Sequence, residues 1–392
     1  MNPNLGAAAP ICKQRQRQYP LKTRMIQFLV LTIASFEVIA AETPALPTGS
    51  ELLDKYAQAL DSTRSFISAS ESSCLLNDRV PSWGLEMHNA RSFDRGEERT
   101  DGRGHLYAKS LRWGYVSASE QHLTETNARY DLSVVGDGFR YRDDKGLGQT
   151  KYKGHVDYQV KGGEEYEKYK AEWGYFMGDD ILGYFLGYMS AWRRLDEMLK
   201  GARSISVRPK PETINGAVCY VVEAVTKYGR FALWLDSEHG YHPARIRASV
   251  RVGDDIGHPG SPSVITRQEG ITRDYSVDNV RFEKVGDVWV PMEADAKRHV
   301  VLGNENGFSD ETTHYKRTKI VLNPDHEALG SFADPMKNPA LDPELVNGSI
   351  VYLGSGQQNT WQDGVVVDPK GKVVLDLRAK NASSDKTTPG GK

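Results

Sequence analysis

Residues 228–247 constrain the fold more than any other part of the chain, because two alternating apolar runs meet there across a polar turn. Phe231, Leu233 and Leu235 recur at period two, residues 236–240 supply turn-forming types, and Ala244, Ile246 and Ala248 resume the alternation. This is the pattern of an antiparallel hairpin with one buried and one wet face. Short β-like runs at 83–93, 105–116, 129–135 and 139–142 precede it, punctuated by Gly and Asp. Further runs at 204–207, 217–226, 271–285, 287–294 and 313–322 surround it. No repeat of fixed period is visible, which argues against solenoids and propellers. The nineteen Tyr and seven Trp suit half-buried strands.

Two helices interrupt the strands. Thr48-Gly49-Ser50-Glu51 has capping-box spacing, and Leu52, Leu53, Tyr56, Ala57 and Leu60 then form one apolar stripe. The second helix is expected over 179–200, where Ile181, Phe185, Trp192, Leu195 and Leu199 share a broad face and Gly201 stands at the C-cap position. Asp179 and Asp180 break its apolar run, so it is not read as a membrane span. One reading makes it the plug or gate of a hydrophobic barrel, with Tyr184, Phe185, Tyr188 and Trp192 facing a ligand opposite Phe231, Leu233 and Leu235. The other is plain core packing of an amphipathic helix.

Leu-Trp-Leu-Asp-Ser-Glu-His-Gly-Tyr-His-Pro-Ala-Arg-Ile at 233–246 resembles the central strands of the LolA-like superfamily. Ile-Asn-Gly-Ala-Val-Cys-Tyr-Val-Val-Glu-Ala at 214–224 and Val-Gly-Asp-Val-Trp-Val-Pro-Met at 285–292 extend the resemblance over about residues 50–322. It implies a mainly antiparallel α+β fold: a curved, incomplete β-barrel with helices covering its concave face. It further implies an exported carrier with a lipid or lipoprotein acyl chain as partner. In the carriers that name the family a buried arginine holds a lid helix shut, and no arginine here is matched to that role.

The N-terminus is expected to be a signal peptide over residues 1–41. Lys13, Arg15, Arg17, Lys22 and Arg24 precede the apolar run 25–36, and Val38-Ile39-Ala40 offers small-residue cleavage chemistry. This predicts a periplasmic or secreted product without stable membrane insertion. Residues 1–40 carry five Lys or Arg and one Glu, so their removal takes the formal charge from −2 to −6. A mildly acidic surface argues against nucleic acid as partner. The expected organisation continues with a half-barrel at 42–322, a Pro/Asp/Asn-rich linker at 323–347, a small β unit at 348–380 that needs docking to be stable, and a disordered tail at 381–392. Cys74 and Cys219 remain after cleavage, as a candidate disulfide or as two free buried thiols.

Chemistry-bearing motifs are scarce. The chain has no Gly-x-Ser-x-Gly elbow, no His-Glu-x-x-His, no Cys-x-x-Cys, no Walker loop and no Rossmann fingerprint, so neither catalysis nor a cofactor is expected. His239 and His242 lie in the hairpin turn beside Asp236 and Glu238; metal binding and ordinary turn chemistry both use such residues. Two readings stay open: a non-enzymatic binding protein for a lipid or other hydrophobic ligand, or a structural or interaction module with a filled barrel. They differ in cavity volume, since a carrier needs several hundred Å³ of continuous pocket.

Overall fold

The computed structural model describes residues 46–81, 84–114, 124–146, 155–162, 188–189, 193–255, 264–266, 270–303, 307–337, 347–353, 357–376 and 378. The expected signal peptide, the tail and most of the expected helix at 179–200 lie outside them. Helix α1 (Gly49–Ser62) comes first, followed by strands β1 (Phe66–Val80), β2 (Leu85–Thr100), β3 (Leu106–Gly114), β4 (Arg129–Gly136), β5 (Phe139–Gly146) and β6 (His155–Val160). A two-residue pair, β7 (Tyr188–Met189) and β8 (Arg193–Arg194), leads into α2 (Leu195–Lys200). Then come β9 (Ser204–Val207), β10 (Glu212–Ile214), β11 (Ala217–Thr226), β12 (Gly229–Asp236), β13 (Pro243–Val250), β14 (Thr272–Val285), β15 (Val288–Leu302) and β16 (Gly307–Leu322). The chain closes with β17 (Ile350–Leu353), β18 (Gln358–Gln362), β19 (Val365–Val367) and β20 (Val373–Asp376).

These strands form one open, 18-stranded sheet beside the β7–β8 pair. Its backbone pairing runs from β11 through β12, β13, β14 and β15 to β16, then β1, then β2 through β6, and finally β17 to β20. Strands β9 and β10 share the outer edge of β11. Among the described residues all strand pairings are antiparallel except β6–β17, which is parallel. The first strand in sequence is therefore central in space: β1 runs between β16 and β2, and its register shifts at Ala69/Ser70 and Leu76/Asp78 are bulges that bend and twist the sheet there.

The hairpin at 228–247 forms in the expected phase. Phe231 pairs with Ala248 and Leu233 with Ile246, and all four are buried. Its turn is tied by Asp236, whose Oδ1 accepts from the main-chain N–H groups of Glu238 and His239 while its carbonyl accepts from Tyr241 N–H. The capping box of α1 also forms: Glu51 N–H donates to Thr48 Oγ1 at 3.2 Å and Thr48 N–H to Glu51 Oε2 at 2.7 Å.

The long helix expected at 179–200 is corrected over its described part. Only Leu195–Lys200 is helical, and Tyr188–Met189 pairs with Arg193–Arg194 as strands. Tyr188, Gly183 and Gly187 belong to a Gly- and aromatic-rich stretch whose apolar spacing fits period two as well as 3.6. The two short helices pack on one part of the sheet and do not cover it.

Register shows where the core lies. Because side chains alternate, residues that pair laterally share a face. One row runs Ala224–Phe231–Ala248–Tyr275–Arg298–Glu311, and the next runs Val222–Leu233–Ile246–Val277–Ala296–Thr313. Their apolar members join Leu52, Leu53 and Tyr56 of α1 and Leu195, Met198 and Leu199 of α2 in one core. Following the second row onward through Cys74, Ser92 and Gly114 reaches β3 on the same face, but there the neighbours are Arg112 and, on β4, Arg129 and Asp131. The buried residues of β4 to β6, among them Leu132, Val134, Tyr141, Val156 and Tyr158, face the other way. The sheet thus changes its buried face across β1 and β2, and each half has its own core.

The C-terminal β unit is docked. Strand β17 adds to β6, and Val351, Trp361 and Val366 complete the second core with Tyr158 and Leu132. Within 323–337, expected as linker, Met336 is buried in that core, Phe332 packs against it, and Tyr158 Oη donates to Asp334 Oδ2 at 2.8 Å.

Candidate functional site

The candidate site is an open trough of about 930 Å³ that crosses β9 and β11 to β16. Its lining shows which face it occupies. Ser204 and Ser206 of β9 line it while Ile205 between them does not, and Ile205 turns toward α1, where a methyl on Gly49 would come within 2.5 Å of its Cγ2. The trough therefore lies on the face opposite the helices. Strand by strand, the side chains that enter it are those between the core positions: Glu223 and Val225, Arg230 and Ala232, Arg247 and Ser249, Asp274 and Ser276, Lys297 and His299, Asp310 and Thr312. Ala224, Phe231, Ala248 and Tyr275 supply main chain to the floor while their side chains pack under the helices. Gly229, at φ +133°, opens β12 beside it; a Cβ there would meet Ser249 O at 2.6 Å.

Most charges here are paired. Arg208 bonds Glu223 at 2.6 Å, Arg251 bonds Asp274 at 2.6 Å, and His299 Nδ1 bonds Asp310. Arg247 reaches Asp278 at 2.9 Å and also donates to the carbonyls of Ile246 and Val277.

Of the residues expected to line a cavity, Phe231, Leu233 and Leu235 are 3%, 0% and 0% exposed in the helix-side core. Tyr184, Phe185 and Trp192 lie outside the described residues, as does the side chain of Tyr188, whose main chain is in β7. The disulfide candidate is corrected: no disulfide joins Cys74 and Cys219. Cys74 falls in the row of Ala296 and Thr313, on the face carrying the helices, whereas Cys219 packs with Val221 and Trp234 on the opposite one. Burial pushes the Cys219 thiol up to about 12. In the hairpin turn, Asp236 holds His239 Nδ1 at 2.7 Å, and the imidazole stacks on Phe282 with its edge against Trp289.

A second group of buried polar residues sits where the two halves meet. Arg317 is 4% exposed, donates through Nη1 to Pro291 O at 3.1 Å, and lies over the Phe66 ring. Burial pushes the neighbouring Glu98 carboxyl up to about 8 against the pull of Arg317. Burial lowers His242 to about 4, opposed by its hydrogen bond with the Trp289 main chain. Sequence reading missed this group because its members come from separate strands and no spacing links them. The trough was equally hidden, since its residues are the polar half of ordinary alternating strands.

No described helix is long and apolar enough to cross a membrane. No family model and no curated protein matches the chain. Among solved structures it is similar to the MucA/MucB complex of Pseudomonas aeruginosa, at 10% identity over 70% of this chain and 99% of that one, with a TM-score of 0.23. LprF from Mycobacterium bovis aligns at 9% identity over 70% and 96% of the two chains, with a TM-score of 0.24. Lipovitellin, from a structure concerned with lipid–protein interactions, aligns at 9% identity over 67% of this chain and 26% of its own, with a TM-score of 0.25.

Proposed function

We propose that this chain is a non-enzymatic binding protein of the cell envelope that holds an elongated ligand of the lipid class in the trough. The observation that carries the reading is the cavity itself, whose volume of about 930 Å³ falls in the range of ligand sites. Val225, Ala232 and the aliphatic stems of Arg230, Arg247 and Lys297 give it apolar surface between polar groups. Such a lining suits an amphiphile better than a bare hydrocarbon. Export rests on the basic segment and apolar run at the N-terminus.

One observation favours the second reading, an interaction module. Leu52, Leu53, Tyr56, Leu195 and Leu199 are fully buried, so the helix-side face that would house an acyl chain in a lidded barrel is packed where it is described. Native mass spectrometry of protein purified from the envelope fraction, followed by lipid extraction, separates the two. A ligand-mass adduct together with saturable binding of a fluorescent fatty acid supports the carrier reading. A ligand-free spectrum with no saturable binding leaves the interaction module.

A further inference from the structure

The ion pairs around the trough leave two cations over. Glu223, Asp274 and Asp310 each have a basic partner, and Arg247 is held by Asp278. No described group pairs with Arg230 or Lys297, and both are exposed in the trough. Register sets Arg230 opposite Ser249, and Lys297 between Ser276 and Thr312; none of these three hydroxyls bonds a described group. Arg230 and Lys297 flank β13 and β14, offset by two residues in register, with their main chains roughly 16 Å apart at ordinary strand spacing. Asp295, the carboxylate that interacts with Lys297, is held by His314 and Asn279, so an arginine fork and a lysine point charge without a salt-bridge partner of their own, set beside hydroxyls that bond no described group, make a surface complementary to an anion.

Resting on the proposed lipid-class ligand, we infer that the trough recognises the ligand's anionic group, a carboxylate or phosphate, through Arg230 and Lys297, with Ser249, Ser276 and Thr312 as hydroxyl donors. Arg247 is excluded from that role because its guanidinium is already committed to Asp278 and two carbonyls. The pair selects among ligands of equal chain length by charge.

Calorimetric titration of the full-length protein with dodecanoate, dodecyl phosphate, dodecanol and inorganic phosphate tests this. The expected result is that both anionic amphiphiles bind at least about tenfold more tightly than dodecanol. The margin should shrink as salt rises, because exposed charges are screened. In R230Q/K297Q it should collapse to within about threefold, with the melting temperature unchanged, while R230K/K297R keeps most of it. Equal binding of dodecanol by the wild type, or an undiminished margin in R230Q/K297Q, overturns the assignment while leaving the lipid reading intact. Binding of inorganic phosphate without any alkyl probe keeps the anion site and removes the lipid reading. If no probe binds, both fall.

Discussion

Glu98 and His242 are buried near Arg317, and their protons act on stability in opposite directions. Folding lowers His242 from 6.5 to about 4, so between those values the unfolded chain holds a proton that the fold does not, and stability rises with pH. Folding raises Glu98 from 4.5 to about 8, so between those values the fold holds the extra proton and stability falls with pH. The two slopes cancel from 4.5 to 6.5, leaving a decline above 6.5 that belongs to Glu98. Glu98→Gln should therefore flatten the pH dependence between 6.5 and 8 and stabilise the protein at pH 8, by on the order of a few kcal/mol. Urea unfolding at several pH values checks this; an equal gain at all of them would rule out the buried acid as the cause. The thiols give a second test at this scale. Brief alkylation of native protein should label Cys74, which is partly exposed, and spare Cys219 until urea is added. Peptide mass spectrometry reads the outcome, and a disulfide-linked peptide would contradict it.

Besides their shared apolar core, the two helices are joined by the Lys200–Asp54 ion pair at 2.9 Å and by Arg194. Arg194, just before α2, donates to both oxygens of the buried Asp196 at 3.0 and 3.2 Å, to Asp61 at the end of α1, and to Ala57 O. Arg194→Ala would leave the Asp196 carboxylate buried without its cation, at a cost of about 3–5 kcal/mol. Asp61→Asn touches only the exposed arm and should cost under about 1 kcal/mol. Denaturant melts compare them, and equal losses would mean that the bond to Asp61, rather than neutralisation of the buried Asp196, carries the contribution of Arg194. At this scale α1 was legible in the sequence because a capping box and a stripe both mark it, and the 228–247 hairpin because alternation and turn chemistry agree. The stretch before α2 was not, because its glycines and aromatics satisfy strand and helix periods together. Nothing in the spacing of Arg194 within the expected 179–200 helix marks it as a group that bonds α1.

In the whole molecule, alternation fixes which residues of a strand share a face but not which of the two faces a neighbouring half will bury. The sequence therefore marked Phe231, Leu233 and Ile246 as sharing a face, and 129–135 as a strand-like run, without revealing that Leu132 of that run is buried on the opposite face. That reversal passes through the long polar strands β1 and β2, and it gives the C-terminal strands a role that their small size conceals. Val351 and Val366 are fully buried and Trp361 nearly so, against the only parallel pairing among the described strands. A chain ending at residue 347 should lose those contacts, uncover the edge of β6, and expose Val156, Tyr158 and Leu132. An uncovered apolar sheet face beside a free edge favours association. The truncated protein should accordingly melt earlier and self-associate in sedimentation runs, while the helix-side core, which shares no residue with the second, keeps its own transition in calorimetry. Val366→Asp in the full chain serves as the companion test, since a carboxylate buried in the second core should cost several kcal/mol and lower the same transition. A truncated chain as stable and monomeric as the full one would show the C-terminal strands to be an appendage rather than half of a core.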